Sequence, residues 1–273
     1  MSSRWRVIYD SPDRGASNMA IDEAILLAVS EGASPPTLRF YAWEPPTVSI
    51  GYFQRLEREI DLVKVSEAGY DLVRRPTGGR TVLHDDEVTY SIIVREAEFP
   101  GSVVETYRRI SKGLVEGLRA LGMEAGMVAA QEAGHDPREH SSAACFDSPS
   151  WYEVICQGKK IIGSAQTRKL GAILQHGSIP ITFAPQRLTS VLALKSDAAR
   201  NRLDLTLAKK AGGLSEFLQR RPGFAEVCGA LRDGLSRCLD IEFVEQGLSA
   251  RERDSAETLL YEKYADAGWN QKR

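Results

Sequence analysis

The sequence has few cysteines, and their spacing points to no metal site. Only four of its 273 residues are cysteine, at positions 145, 156, 228 and 238, and none forms a Cys-x-x-Cys pair. Structural zinc sites need thiols or histidines at such close spacing, so no zinc site is expected. Cys156, Cys228 and Cys238 are interpreted as buried, inert thiols, which is the usual state of cysteine in a cytosolic protein.

Long apolar runs and an excess of positive charge are also missing. No segment approaches the about 18–20 apolar residues of a membrane span, and the first residues lack the apolar stretch of a signal peptide. The net charge of −2 argues against a protein that binds nucleic acid by neutralising phosphates. We therefore expect a cytoplasmic protein that has neither a membrane nor a nucleic acid as its partner.

The hydrophobic pattern predicts an α/β (α+β) fold with a mixed, largely antiparallel sheet flanked by helices. Helices are predicted at 17–31, with Ser17 or Asn18 as its cap, from Ser102 onward, at 226–239 and at 249–265. Strands are predicted at 37–43, 47–53, 70–75, 88–94, 151–156, 160–167 and 172–181. The first two strands are expected to pair, because only Glu44-Pro45-Pro46 separates them. We expect one domain over 1–273, with a core at about 4–245 and a helical tail at about 246–273.

One stretch, residues 74–85, concentrates glycine and arginine between short strands. Gly78 and Gly79 let the backbone approach a ligand closely, so their amides can cradle an anion or a carbonyl. Arg75 and Arg80 flank them and can bind phosphate. The stretch is neither a Walker loop nor a dinucleotide fingerprint. The alternative interpretation is a tight hairpin with solvated arginines.

Cys145 differs from the other cysteines because it follows a polar segment rather than lying in an apolar run. A nucleophilic thiol needs partial exposure and a nearby positive charge, which Lys159 or Lys160 can supply. Strand alternation places Lys160, Ile162 and Ser164 on one face, but periodicity does not say which lysine faces inward. His176 lies within a predicted strand, where a hydrogen-bonded core histidine is more common than a catalytic one.

Several motifs resemble the lipoate- and biotin-protein ligase superfamily. RRPTGGRTVLHDDEVTYSIIV resembles its RRxxGG(G/R)xVxHD motif, and GKKIIGSAQ resembles its lysine segment, with Lys160 in the lysine position. SNMAIDEAIL, PTVSIGYFQ and HGSI match the same superfamily in the same order, over roughly residues 4–190. CFDSPSWYEV, which places Cys145 15 residues before Lys160, resembles the octanoyltransferase branch that forms an acyl-cysteine intermediate. Arg80, in place of the third glycine of the ligases, favours the same branch.

This resemblance implies a sheet like that of the biotin-protein ligase catalytic core and an acyltransferase in lipoate biosynthesis. Octanoyl would pass from the phosphopantetheine of acyl carrier protein to a lipoyl-domain lysine, on the glycine-cleavage H protein or an E2 subunit. Cys145 would be the nucleophile and Lys160 its catalytic partner. The implied substrate-binding residues are Arg75, Gly78, Gly79, His84, Gly163, Ser164, Ala165 and His176. No metal, nucleotide or prosthetic group is implied, because a thioester is already activated.

Three alternatives remain open at this point: an ATP-dependent lipoate ligase with a spectator Cys145, an amidotransferase between lipoyl domains, and a non-catalytic lipoyl-domain binding module. One geometric expectation also bears on the mechanism. If Gly158 closes a hairpin, Lys160 faces roughly Cys156, and Cys145 lies up to ~36 Å away along an extended chain. Residues 147–149 must then curl back over the sheet.

Overall fold

Eleven strands in two sheets form the framework of the part of the chain that the structure describes. The computed structural model describes residues 3–129 and 152–272. The strands are β1 (Ser3–Tyr9), β2 (Thr37–Tyr41), β3 (Thr47–Ile50), β4 (Asp71–Arg74), β5 (Val82–His84), β6 (Glu87–Arg95), β7 (Ala125–Ala129), β8 (Tyr152–Cys156), β9 (Lys159–Lys169), β10 (Ala172–Pro180) and β11 (Ile241–Glu245). The large sheet has the order β11-β1-β2-β6-β10-β9-β8-β7, and the small sheet has the order β4-β3-β5.

Most neighbouring strands of the large sheet run antiparallel, and β1 alone is parallel to both of its neighbours. In the small sheet, β3 is parallel to β4 and antiparallel to β5. The prediction of a mixed, largely antiparallel sheet flanked by helices is confirmed.

The helices lie on both sides of the large sheet. They are α1 (Gly15–Ser30), α2 (Leu56–Glu59), α3 (Leu62–Glu67), α4 (Val103–Ala120), α5 (Pro185–Thr189), α6 (Asp197–Lys210), α7 (Leu214–Leu218), α8 (Phe224–Leu239), α9 (Ala250–Leu259) and α10 (Ala267–Asn270), with a π-helical turn at Leu260–Tyr264. Capping boxes start α4 at Ser102 and α9 at Ser249, as the sequence predicts. Within the described ranges, no helix is both long and apolar enough to cross a membrane.

The predicted cap of α1 is wrong. The helix begins at Gly15, and its N-cap residue Arg14 makes no side-chain cap. Asn18 lies within the helix, and its side-chain amide donates instead to the carbonyls of Asp13, at 3.1 Å, and Ala42, at 2.9 Å. Asn18 therefore fastens the helix to the loop after β2.

The predicted pairing of β2 with β3 is also wrong. The chain turns at Glu44-Pro45-Pro46 and passes from the large sheet into the small one, where β3 is the middle strand. Every residue of β2 and β3 is buried, so neither strand has a solvent face. A strand that is buried on both faces must be covered by other elements on each side, and a hairpin of two strands alone does not provide them. β2 and β3 are covered in this way because each lies inside a different sheet.

The C-terminal segment is built into the fold more firmly than its predicted helical pattern indicates. β11, which the sequence analysis did not predict, pairs parallel with β1 at the edge of the large sheet. Arg6 of β1 and Glu252 of α9 form a buried ion pair, with Arg6 Nη2 2.5 Å from Glu252 Oε1. Although burial alone would raise the pKa of Glu252, the hydrogen bonds from Arg6 and from the Ser249 amide lower it to about 2.

The two faces of the large sheet differ in chemistry. The face covered by α4 and α8, here called the apolar face, contributes Phe40, Tyr90 and Ile92 to the main hydrophobic core. The opposite face, here called the polar face, carries Arg39 and His176 and lies against α1 and the small sheet. Strand alternation produces both faces from the same strands.

Candidate active site

A cavity lies between the polar face of the large sheet and the small sheet, and together with the open solvent at its mouth it encloses about 370 Å³. Among the predicted site residues, those that line it are Arg75, His84, Gly163, Ser164, Ala165 and His176. The other residues of its lining are Met19, Tyr41, Trp43, Ser49, Val82, Thr89, Gly177 and Ser178. The structure therefore brings together residues from α1 and both sheets with Arg75, which follows β4, at the place where two layers of the fold meet, whereas Gly78 and Gly79 are not part of this lining.

Arg75 holds the glycine loop, residues 76–80, in shape from within. Its guanidinium donates to the carbonyls of Gly78, at 2.9 Å, and Arg80, at 2.6 Å. In a trans peptide the N–H points opposite to the C=O, so the amides of Gly79 and Thr81 are directed away from the guanidinium. Gly79 has a φ of +90°, which favours glycine. This geometry fits the predicted backbone cradle, and the alternative of a solvated Arg75 is wrong, because only 5% of the residue is exposed.

The preceding residue, Arg74, supports a second loop beside the first. It is fully buried, and its guanidinium donates to the carbonyls of Gly51, at 3.0 Å, and Gln54, at 2.8 Å. A Cβ on Gly51 would lie 2.1 Å from the carbonyl oxygen of Gly79, so the two loops touch backbone to backbone. Two consecutive arginines thus position the two loops that lie beside the cavity.

His84 belongs to a connected set of polar side chains. Its Nδ1 lies 2.8 Å from Glu87 Oε1, and its Nε2 lies 2.8 Å from Ser49 Oγ. Because a carboxylate only accepts hydrogen bonds, Nδ1 carries a proton that it donates to Glu87. The ring stacks on Trp43 with centroids 4.0 Å apart. Burial would raise the pKa of Glu87, but its contacts with His84 and Ser178 hold that pKa below the usual range.

His176 forms a second set of the same kind, in which a histidine lies between a hydroxyl group and a carboxylate. Its Nε2 lies 2.6 Å from Thr77 Oγ1, and its Nδ1 lies 3.3 Å from Asp22 Oδ2. Asp22 is fully buried and also accepts from Arg39, at 2.9 Å. Burial lowers the pKa of His176 despite the adjacent carboxylate, so the imidazole is neutral at pH 7. His176 is thus both a hydrogen-bonded core residue and part of the cavity wall.

These two sets determine what the cavity can accept. Among the residues that the structure describes, the two buried polar side-chain atoms without a hydrogen bond belong to Arg168 and Ser215, and neither residue lines the cavity. The polar side chains around the cavity therefore satisfy one another. An apolar chain can enter without leaving a buried donor or acceptor unpaired, which would cost about 1–3 kcal/mol each.

Lys160 is the inward-facing lysine of the pair. Its side chain is 4% exposed and its Nζ lies 3.1 Å from Glu153 Oε1, whereas Lys159 is more exposed and pairs with Glu216 at 2.7 Å. A lysine buried this deeply needs an anionic partner, and Glu153 supplies one. Lys160 is not part of the cavity lining described above.

The position of Lys160 differs from the sequence prediction in two respects. It lies opposite Ile155, while Cys156 lies opposite Lys159, so the expected register is wrong by one residue. β9 also bulges beside Val154 and Ile155, and Ile161 and Ile162 both enter the main core. A bulge inserts one residue and interrupts alternation, so Lys160 and Ser164 do not follow the predicted single face. The hydroxyl of Ser164 instead meets that of Tyr90, at 2.8 Å, on the apolar face.

The cysteines separate into two groups. Cys145, the predicted nucleophile, lies outside the described residues. Cys156 and Cys228 are buried as predicted, and burial raises the pKa of both, that of Cys228 to about 12. The prediction of a buried thiol is wrong for Cys238, which is exposed. Desolvation still raises its pKa, so all three thiols resist forming the reactive thiolate.

Sequence reasoning missed several residues of the site, namely Asp22, Trp43, Ser49, Glu87 and Glu153. Asp22 carries a readable signal, because a carboxylate inside the apolar run AIDEAIL of a helix needs a buried partner. Glu153 gives no such signal, since its pairing with Lys160 depends on the register of β8 and β9.

Known proteins resemble this chain in sequence and in fold. Residues 14–236 match the family model of the lipoyl protein ligase A/B catalytic domain. Octanoyltransferase LipM of Kyrpidia tusciae is 48% identical over 272 residues, which cover 98% of this chain and 99% of that protein. Octanoyltransferase LipM of Bacillus anthracis is 42% identical over 277 residues, which cover 99% of each.

Solved structures of lipoate ligases share the fold. The archaeal bipartite lipoate protein ligase of Thermoplasma acidophilum superposes with a TM-score of 0.83 at 27% identity and covers 98% of this chain and 96% of its own. A lipoate-protein ligase A bound with ATP gives a TM-score of 0.78 at 28% identity and covers 99% of both chains. The prediction of an acyltransferase is confirmed by the curated relatives. The chain belongs to the lipoyl protein ligase A/B catalytic domain family.

Proposed function

We propose that this protein transfers an octanoyl group from acyl carrier protein to a lysine of a lipoyl domain, through a thioester on Cys145. The acceptors are proposed to be the glycine-cleavage H protein and E2 subunits. The relatives named octanoyltransferase, which match nearly the whole chain, support the acyl group of this proposal.

The observation that carries the proposal is the cavity between the two sheets. Its polar side chains are bonded to one another, so it suits a linear apolar chain better than a polar ligand. The glycine loop and the Gly163–Ala165 segment of β9 approach each other there, since a Cβ on Gly79 would lie 4.0 Å from that of Ala165. A carbonyl held at this point would meet backbone amides, which stabilise a developing oxyanion.

The reaction proceeds in two steps, acylation of Cys145 and transfer of the acyl group to the acceptor lysine. The Cys145 thiolate attacks the donor carbonyl, the new carbon–sulfur bond forms, and the phosphopantetheine thiolate leaves and takes up a proton. The neutral amine of the acceptor lysine then attacks the Cys145 thioester, the amide forms, and the Cys145 thiol is released. Both steps start from a thioester, so neither needs a nucleotide. Lys160 favours the thiolate by its positive charge.

The proposal is tested by mixing the protein with octanoyl-carrier protein and measuring its intact mass without a nucleotide. We expect one octanoyl group on the wild-type protein and on Cys156→Ala, the matched control, and none on Cys145→Ala. An ATP-dependent ligase would instead acylate the acceptor only from free octanoate with ATP and magnesium, and a binding module would form no adduct. Either result would overturn the proposal.

The role of Lys160 is tested by the rate at which iodoacetamide alkylates Cys145 as a function of pH. In the wild type we expect a thiol pKa below the ordinary ~8.5. Lys160→Ala should raise that pKa by about one unit and slow acylation, since a neighbouring charge is lost. Lys160→Arg should restore the pKa more than the rate. Lys159→Gln, the control, should leave both unchanged; an unaltered titration in Lys160→Ala would remove the lysine from the activation of the thiol.

A further inference from the structure

A second concave surface, here called the entrance groove, lies beside the cavity and together with the open solvent above it encloses about 900 Å³. The residues that matter below are Tyr52, Phe53, Gly78, Lys169, Lys263 and Trp269. The acyl group alone does not need this groove, because the cavity already offers an apolar site. The groove is therefore considered as a site for a part of the substrate other than the acyl group.

The groove is continuous with the cavity along two segments of the chain. β9 lines the cavity with Gly163–Ala165 and the groove with the next residues, 166–169. The chain before and within the glycine loop links the two in the same way, because Arg75, the residue before the loop, lines the cavity while Gly78, whose carbonyl it holds, lines the groove. A ligand whose reactive end enters the cavity would thus have its remaining length in the groove.

Positive charge is in excess in and beside the groove. Lys169 and Lys263 both pair with a single carboxylate, that of Glu23, with Lys169 Nζ at 2.8 Å. Lys272 adds a third ammonium group, 5.5 Å from the ring centroid of Trp269. Arg168 also lines the groove, but its guanidinium is turned to Glu96, at 2.9 Å. The three lysines outnumber the two nearby carboxylates, those of Glu23 and of Asp266 beside Trp269, and leave a net positive site for an anion.

The pKa of Lys263 is lowered, which agrees with the close approach of the three ammonium groups. Burial lowers the pKa of Lys263, Glu23 raises it, and the charges of Lys169 and Lys272 lower it further. An anion placed among these groups would offset the repulsion between the ammonium groups.

The walls of the groove are aromatic as well as basic. Phe53 is 70% exposed, which is unusual for a side chain of this size, and its ring meets that of Tyr52 edge to face at 5.0 Å. Trp269 lies 5.8 Å from Tyr52 and is held by a hydrogen bond from its Nε1 to the carbonyl of Arg74, at 2.9 Å. Such rings provide contact area for a flexible, amide-containing arm.

We propose that the entrance groove binds the phosphopantetheine arm of the donor thioester, with its phosphodiester beside Lys169 and Lys263. This inference rests on the proposed function, which supplies a thioester donor. The acceptor fits the groove less well, because its lysine brings a positive charge to a positive site and carries no phosphate. The groove thus distinguishes the two substrates that visit the same thiol in turn.

The test compares two small donors that differ by the phosphate, octanoyl-phosphopantetheine and octanoyl-pantetheine. The rate of Cys145 acylation is measured for each donor by quenching and intact mass. Lys169→Gln should lower kcat/KM for the phosphate-bearing donor by about 3- to 5-fold and leave octanoyl-pantetheine within 2-fold, since one partly exposed charge contact is worth up to about 1 kcal/mol. Lys169→Glu should lower it further, and Lys169→Arg should restore it.

Lys64→Gln is the matched control, because Lys64 of α3 lies outside both the cavity lining and the groove. It should change neither donor. Three results would overturn the inference: no preference for the phosphate in the wild type, an equal loss with both donors in Lys169→Gln, or a loss confined to the step that acylates the lipoyl domain. If neither small donor nor octanoyl-carrier protein acylates the wild-type thiol, the proposed function itself fails, whatever the groove binds.

Discussion

The apolar and polar faces of the large sheet are made by the same strands, but the polar face carries buried charged groups beside its apolar residues. β2 shows the contrast within two residues, because Phe40 enters the apolar core while Arg39, equally buried, carries a charge. On the apolar face, α4 and α8 pack so closely that a Cβ on Gly234 would lie 2.3 Å from the amide nitrogen of Gly117. On the polar face, α1 is held to the strands by an ion pair between Asp22 and Arg39 as well as by an apolar cluster that includes Ile25 of the helix.

The apolar face mainly contributes the packing that stabilises the fold, whereas the polar face contributes the residues that shape the cavity. Changes of volume on the apolar face destabilise the fold, but among the core residues described above this face contains no group that titrates near neutral pH. The polar face concentrates Asp22, Arg39 and His176, whose hydrogen bonds fix the wall of the cavity. Buried ionic groups seldom add stability over apolar packing, so their use here is explained by the shape and polarity of the site.

The largest effect on stability is expected on the polar face, from Arg39→Met. Arg39 donates to Asp22 at 2.9 Å and to Asp10 at 2.5 Å, and its removal leaves the buried Asp22 carboxylate without its cation. We expect the free energy of unfolding in urea to fall by about 3–5 kcal/mol. Arg39→Lys keeps the charge and should lose less. A loss below about 1 kcal/mol in Arg39→Met would contradict the importance of this ion pair.

The next effect is expected on the apolar face, from Gly234→Ala. The added methyl group would meet the backbone of α4 at Gly113 and Gly117, so the helices must move apart at a cost of about 1–3 kcal/mol. Gly229→Ala, in the same helix but with nothing within 4 Å of the added methyl group, should instead stabilise by up to about 1 kcal/mol through helix propensity. Acyl transfer by the folded protein should stay unchanged in both variants. A similar response of the two glycines would contradict close packing here.

The smallest expected effect is on how the free energy of unfolding depends on pH, and only the polar face should show it. The folded-state pKa of His176 is lowered, so below the ordinary value of about 6.5 the unfolded chain binds a proton that the folded protein does not. Stability from this group is therefore present above about pH 6.5 and is lost as the pH falls, by at most about 1.4 kcal/mol per pH unit. His176→Gln should flatten the curve of unfolding free energy between pH 6.5 and 5.5. Gly234→Ala should shift that curve without changing its slope, and an unchanged slope in His176→Gln would refute the assignment.

Sequence periodicity predicts the elements whose partners are close in the chain. α4 was expected from its capping box and apolar stripe, and β8, β9 and β10 were expected as successive strands with turns at Gly158 and Gly171. The separation of β2 from β3 was not predictable in this way, because their burial depends on neighbours that lie far along the sequence.

The site shows the same limit. The resemblance to lipoate ligases pointed to His84 and His176, but their hydrogen-bond partners come from distant segments; Asp22 lies 154 residues before His176. The bulge in β9 sets which way Lys160 faces, and no pattern in the sequence marks it. Motifs can therefore identify the residues of a site while the tertiary fold determines their contacts.

The most direct test of the central claim is to isolate the octanoylated protein and mix it with an unmodified lipoyl domain, without carrier protein or nucleotide. The quenched reaction is followed by intact mass of both proteins. We predict that the octanoyl group leaves Cys145 and appears on the acceptor lysine at a rate no slower than the overall turnover. An adduct that stays on the enzyme, or is only hydrolysed, while complete reactions still acylate the lipoyl domain would contradict transfer through a Cys145 thioester.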